Sequence, residues 1–105
     1  MRKPLADRSP SSDPGLLLLI SLSGGPKHGH AMLLDVAAFA GVRLGPGTLY
    51  GALTRLEEDG LVEALPLEGR RRPYRLADAG LAALRGRLSG LNAAISIGLA
   101  RVGSR

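Results

Sequence analysis

The hydrophobic pattern divides the chain into helices and one hairpin, separated by glycine and proline. Met1–Ser12 is rich in proline, serine and charge and lacks apolar periodicity, so it reads as a mobile tail. Asp13-Pro14 then marks a helix start, because a carboxylate accepts from orphan amides and proline suits the first helical position. Gly15–Ser23 is apolar nearly all round, which predicts a buried helix ended by Gly24-Gly25-Pro26. A second helix is predicted over His28–Ala40, with Leu33, Val36, Ala37 and Ala40 facing inward and Gly41 closing it. Val42-Arg43-Leu44 makes a short turn, and Pro46 opens the next helix. Two helices joined so closely form a helix-turn-helix by spacing alone.

The third helix divides cleanly when its residues are placed about 100° apart. Leu49, Ala52, Leu53 and Leu56 form the buried stripe. Gly47, Gly51, Thr54 and Glu58 lie opposite, flanked by Thr48, Tyr50 and Arg55. Two glycines on an exposed face lower helix propensity by ~1 kcal/mol each relative to alanine. They also allow the backbone to approach a groove floor closely. Glu57-Glu58-Asp59 opposes the helix dipole and repels phosphates, so contact is expected through the N-terminal half. After Gly60, Leu61–Leu65 and Pro73–Leu76 read as short strands, and Arg70, Arg71 and Arg72 crowd the turn beside Gly69.

Asp78–Val102 contains no proline and can form one long helix. Leu81, Leu84, Leu88, Leu91, Ile95, Gly98 and Val102 step by alternating threes and fours, an a/d seam broken only at Gly98. From Leu91 onward the seam is expected to lie beyond any core so small a chain supplies. It predicts a helix that pairs with a second copy, through Leu84, Leu88, Leu91, Ile95, Leu99 and Val102.

Composition narrows the function classes. A chain of 105 residues suits a single domain with one modest core. It has no cysteine, which excludes disulfides, thiolate metal sites and cysteine nucleophiles. The formal net charge is +5, carried mostly by arginine, and this favours a polyanionic partner. No apolar run reaches the ~18 residues of a membrane span. Gly15–Leu22 imitates a secretory signal only weakly, since Asp7 and Asp13 and three prolines interrupt the basic region; a cytoplasmic location is expected. His28 and His30 alternate without further ligands nearby, so no metal site or cofactor is expected. Gly45-Pro46-Gly47-Thr48 lacks the lysine and preceding strand of a phosphate loop. No nucleophile–base pair emerges, and the chain reads as non-enzymatic.

At these residues the sequence resembles the PadR family of bacterial transcriptional regulators. The matching stretches are GPKHGHAM at Gly25–Met32, GPGTLYGALTRLEEDGLV at Gly45–Val62 and GRRRPYRLADAG at Gly69–Gly80. The resemblance implies a fold that is mainly α with a small β-hairpin wing, a winged helix-turn-helix at 13–77 followed by a C-terminal dimerisation helix at 78–105. It implies a homodimer on two-fold related double-stranded DNA, most often as a repressor. By the same resemblance, Lys27, His28 and Gly29 match the start of the second helix, where backbone amides meet a phosphate. Thr48 and Tyr50 fall in the recognition-helix motif, and Arg70, Arg71, Arg72 and Tyr74 match the wing. The chain departs from the family pattern in several places. His30 stands where tyrosine is common, Gly51 replaces a frequent proline, and Gly45 and Ala77 replace a capping serine and threonine. Some such regulators hold a small-molecule effector between dimer helices against aromatic walls. The last helix here has no aromatic residue, so capture by stacking is not expected and the effector is unidentified.

Two functions from different classes follow. In the first, the chain is a sequence-specific DNA-binding regulator. Lys27 and the wing arginines Arg70, Arg71 and Arg72 fix register on phosphates, while Thr48, Tyr50, Thr54 and Arg55 meet groove edges or the adjacent backbone. In the second, it is a winged-helix interaction module whose basic hairpin docks an acidic protein partner. Steep salt dependence combined with sequence preference separates the first from the second.

Overall fold

The computed structural model describes residues 13–104. The expected N-terminal tail lies outside the described residues. The element order is α1 (Pro14–Ser23), β1 (Lys27–His28), α2 (Gly29–Ala40), α3 (Pro46–Glu58), β2 (Val62–Ala64), β3 (Pro73–Leu76) and α4 (Asp78–Gly103). The architecture is mainly helical, with a three-stranded antiparallel sheet of order β1-β3-β2 at one edge.

Helix α1 is the hub. It packs against α2, α3, α4 and β3, which explains why its sequence is apolar on every side. Leu16, Leu17, Leu18, Leu19 and Leu22 are all buried there. Each such leucine contributes roughly 1.5–3 kcal/mol of transfer free energy. Asp13 caps the helix as its sequence suggests, its Oδ1 accepting from the Leu16 N–H at 3.3 Å. The buried Ser21 hydroxyl donates to Asp35 Oδ2 at 2.7 Å and so ties α1 to α2.

Helix α2 turns Val36 into the core as expected, with Leu33 and Ala40 packed at the core's margin, and adds Met32. Its fully buried residues are Gly29, Met32 and Val36, while Leu33, Ala37 and Ala40 are only half-buried. Met32 is the addition that the leucine and alanine pattern does not single out, since a lone methionine carries little weight in a short apolar run. The helix also starts one residue later than expected. His28 is its N-cap and belongs to β1, the two-residue strand that pairs Lys27 with Tyr74 and His28 with Pro73. Gly41 ends α2 in the left-handed region (φ 67°), its N–H bonded to Ala37 O at 3.0 Å.

Helix α3 buries the stripe read from the sequence, Leu49, Ala52, Leu53 and Leu56. Strands β2 and β3 pair Val62 with Leu76 and Ala64 with Tyr74. Glu68 and Arg71 exchange backbone hydrogen bonds of 2.8 and 3.0 Å across the turn. Gly69 (φ 63°) takes the first of its two central positions, where a tight hairpin turn requires positive φ.

Helix α4 starts without a side-chain cap at Ala77. Its first turn presses on the β2 entry so closely that a Cβ on Gly80 would lie 2.0 Å from Leu61 O. Two seam residues depart from the expectation. Leu84 is 3% exposed and lies in the core of this chain. Leu91, expected beyond reach of the core, is half-buried and packs against it. Together with Leu88 it lines an apolar cleft of about 250 Å³ against Leu16, Ile20 and Phe39. The reason is length: at about 1.5 Å per residue, α1 runs far enough alongside α4 to meet it. Beyond Leu91, Ile95, Leu99 and Val102 are exposed.

Candidate nucleic-acid interface

The face of α3 opposite the core is a continuous exposed surface of Gly47, Thr48, Tyr50, Gly51, Thr54 and Arg55. A Cβ added at Gly47 or Gly51 would meet nothing within 4 Å. The chain's own packing therefore does not require either glycine, and both leave the helix surface shallow. The Thr54 hydroxyl donates to Tyr50 O at 2.8 Å, so its proton is occupied and its oxygen remains available as an acceptor. Glu57, Glu58 and Asp59 are exposed at the far end of the helix.

Tyr50 is held in place from below. It is 52% exposed, and its phenol rests over Gly29, where an added Cβ would lie 2.7 Å from Tyr50 Oη. This joins the outward face of α3 to the first turn of α2. The wing closes the third side. His28, Gly29 and His30 from α2, Tyr50 from α3 and Arg70–Arg72 from the hairpin surround one cleft of about 200 Å³.

The three arginines differ in their contacts. Arg72 Nη1 donates to Leu65 O at 2.8 Å, which braces the hairpin. Arg71 Nη1 lies 3.0 Å from His28 Nε2. Arg70 is exposed at the tip. Among the described residues the ion pairs are Lys27–Asp35, Arg75–Glu63 and Arg87–Asp13, so none of the tip arginines is neutralised by a carboxylate. Tyr74, on β3 behind the tip, is half-buried. Burial raises its phenol above the ordinary value of 10.0, with Glu57 and Tyr50 acting in the same direction and Arg72 against it.

Thr48 and Thr54 are exposed on α3, and Arg55 borders a second cleft with Asp13 and Asp59. Five of the sequence-derived residues, His28, Tyr50, Arg70, Arg71 and Arg72, line the basic cleft together, with Tyr74 behind the tip. Lys27 does not. Its ammonium turns back to Ser21 O and to Gly25 O at 3.3 Å, with Asp35 Oδ2 at 3.8 Å. It acts as a brace between α1 and the loop before α2. The expectation that Lys27 meets a phosphate is corrected on this geometry, since its donors are spent inside the subunit.

Two features of the surface escaped the sequence reading. His30 lines the cleft, although its sequence context offered only a metal question and a departure from the tyrosine common at that position. Gly29 is the seat of Tyr50, a contact between residues far apart in sequence that no local pattern reveals.

The profile of the transcriptional regulator PadR-like family matches residues 16–86. The chain is 50% identical over 60 residues to the transcriptional regulator Rv3488 of Mycobacterium tuberculosis, covering 54% of this chain and 55% of that protein. It is 42% identical over 67 residues to the transcriptional activator GvpE2 of Halobacterium salinarum, covering 64% of this chain and 34% of that protein. The chain therefore spans between a third and somewhat over half of the length of these relatives. In fold it is similar to a PadR family transcription regulator from Clostridium difficile, with a TM-score of 0.74 and 20% identity, covering 85% of this chain and 96% of that one. With the wing, the α3 surface and the α4 helix in these positions, the chain belongs to the PadR-like family of transcriptional regulators.

Proposed function

We propose that this regulator binds double-stranded DNA sequence-specifically as a homodimer, on an operator with two-fold symmetry. One observation carries the reading. The shallow outward face of α3 and the unneutralised arginine tip lie on the same side and are joined by a single basic cleft. Helix α3 enters the major groove, where Thr48, Tyr50, Thr54 and Arg55 meet base edges or adjacent backbone. Gly47 and Gly51 let the helix sit deep. Arg70, Arg71 and Arg72 take phosphates beside the groove, and Glu57–Asp59 at the other end of α3 point away from the polyanion.

The dimer forms through the exposed part of the α4 seam, Leu88, Ile95, Leu99 and Val102, with Leu91 at its edge. Such a dimer sets the two recognition helices about one DNA turn apart, ~34 Å, with half-site centres ~10 bp apart. The location that goes with this function is cytoplasmic. The regulatory output we propose is repression by occupancy of the operator. The relative GvpE2 is named an activator, so a reporter gene placed behind the selected operator decides the sign.

The test is selection of duplexes from a random pool, followed by binding measurements at several salt concentrations. Arg71→Ala is expected to weaken binding to all duplexes alike and to lower the salt slope by about one. Thr54→Ala is expected to change which duplex is preferred, by roughly 1–3 kcal/mol at one position. If no duplex is enriched, or neither substitution alters binding, this reading fails and an acidic protein partner takes its place.

A further inference from the structure

His28 faces two donors at once. The Ala31 N–H points at Nδ1 across 3.3 Å, and Arg71 Nη1 lies 3.0 Å from Nε2. A neutral imidazole has one acceptor nitrogen and one N–H, and a guanidinium has donors only. The two contacts therefore exclude each other as hydrogen bonds. With the proton on Nδ1, Arg71 is satisfied and the first turn of α2 loses its side-chain cap. With the proton on Nε2 the cap forms, and Nε2–H and the Arg71 N–H face each other as two donors that need a common acceptor.

The cleft itself offers no anionic acceptor. Its other polar side chains are His30, Tyr50, Arg70 and Arg72, of which only the Tyr50 oxygen and a His30 nitrogen accept, both neutral, and among the described residues no carboxylate lines it. A group that accepts from a guanidinium and an imidazole N–H among three arginines is an oxyanion. Phosphate fits best, because separate oxygens of one group accept charge-assisted hydrogen bonds from both donors. At about 200 Å³ the cleft is several times the ~30 Å³ of a water molecule and admits a phosphate group.

We propose that His28 and Arg71 form a phosphate-operated latch coupled to the tautomer of His28. Without the anion, Arg71 donates to Nε2, Nδ1 carries the proton, and the wing tip is tied to α2. When a phosphate group enters, one of its oxygens accepts from Arg71 and another from Nε2–H. The ring releases the Nδ1 proton to solvent and takes one up at Nε2, so its net protonation is unchanged. Nδ1 then accepts from the Ala31 N–H and firms the first turn of α2, on which Gly29 seats Tyr50. Phosphate capture at the wing is thereby transmitted to a recognition-helix side chain. The phosphate comes from the duplex backbone if the function proposed above holds, on which that source rests. A free phosphate is the other source of the same chemistry.

The ring-nitrogen NMR shifts of His28, read in the full chain at mildly alkaline pH, report the tautomer directly. The expected result is an Nδ1–H ring in an anion-poor buffer that becomes Nε2–H on adding millimolar inorganic phosphate or a selected duplex. Hydrogen exchange of the Ala31 N–H should slow about fivefold at the same time, the effect of one side-chain cap. The variant His28→Asn caps α2 but is too short to reach Arg71. It should fold normally and show slow Ala31 exchange that no longer responds to phosphate. If inorganic phosphate reverses the tautomer and a bound duplex does not, the latch stands with free phosphate as its source. If His28 is already Nε2–H without anion and neither probe moves it, or if His28→Asn keeps the phosphate response, the latch is overturned. Duplex affinity is measured separately by fluorescence anisotropy, so a latch that fails while the duplex still binds leaves the regulator reading intact.

Discussion

The Tyr50 phenol sits on Gly29, with room for a hydrogen and not for a methyl group: a Cβ at Gly29 would lie 2.7 Å from Tyr50 Oη and 3.1 Å from Leu49 Cδ2. The direction of an exposed α3 side chain is therefore set by a glycine on the neighbouring helix.

Gly29→Ala tests this relationship. Tyr50 ends in an exposed, mobile side chain, and the buried Leu49 needs to give by only a few tenths of an ångström, so the helix tolerates the methyl group and Tyr50 is the residue that moves. Stability is expected to change by less than ~1 kcal/mol, because Ala gains helix propensity while the contact is strained. Duplex affinity is expected to fall about tenfold, ~1.4 kcal/mol. Unchanged affinity with a displaced tyrosine signal would show that Tyr50 contributes nothing to recognition.

Gly80 and Gly86 lie on the same helix and should respond with opposite signs. A Cβ at Gly80 meets the Leu61 carbonyl at 2.0 Å, and backbone cannot move aside as a side chain can. Gly80→Ala should cost more than ~3 kcal/mol or prevent folding. At Gly86 an added Cβ meets nothing within 4 Å, so Gly86→Ala should stabilise by ~1 kcal/mol through helix propensity alone. Thermal unfolding of both variants checks the pair.

Leu84 and Ile95 belong to one heptad pattern but differ in burial, and only Ile95 is free to serve the proposed dimer contact. Leu84 is 3% exposed within its own subunit, and Ile95 is 56% exposed. Leu84→Ala should cost about 2–5 kcal/mol of subunit stability. Ile95→Asp should leave the winged helix folded and shift the protein to monomer in analytical ultracentrifugation. A dimer that survives Ile95→Asp would place the subunit contact elsewhere.

Tyr74 makes stability depend on alkaline pH. Its folded-state value lies above 10.0, raised first by burial and then by Glu57 and Tyr50. Both states are protonated below that value, so its contribution is fully present there. It is lost as pH rises through the higher folded value, where the unfolded chain ionises more readily. Denaturant unfolding should show stability falling above pH 10, and Tyr74→Phe should lessen the fall. Equal slopes for the two proteins would remove Tyr74 as the cause.

Much of the fold was legible in the sequence because local rules govern it. Asp13-Pro14 starts a helix, Gly41 ends one, and Leu49, Ala52, Leu53 and Leu56 fall on one side of α3 whatever surrounds them. The arginine tip and its turn followed from Gly69 in the same way. Strand β1 was not legible, since two residues carry no period; Lys27 and His28 become a strand only because β3 offers them an edge.

The chain by itself determined the buried stripe of α3, the all-round burial of α1, where most helices begin and stop, and that positive charge gathers at a hairpin. Periodicity and capping decide these matters within a few turns. Only the tertiary structure decided what those residues do to one another. It folded the Lys27 ammonium back onto Ser21 and Gly25, drew Leu84 and Leu91 toward α1, set Tyr50 on Gly29, and brought Arg71 to His28. Apart from the local turn of Lys27, each of these is a contact across chain separations that no periodicity spans, arising where the elements packed around α1 meet.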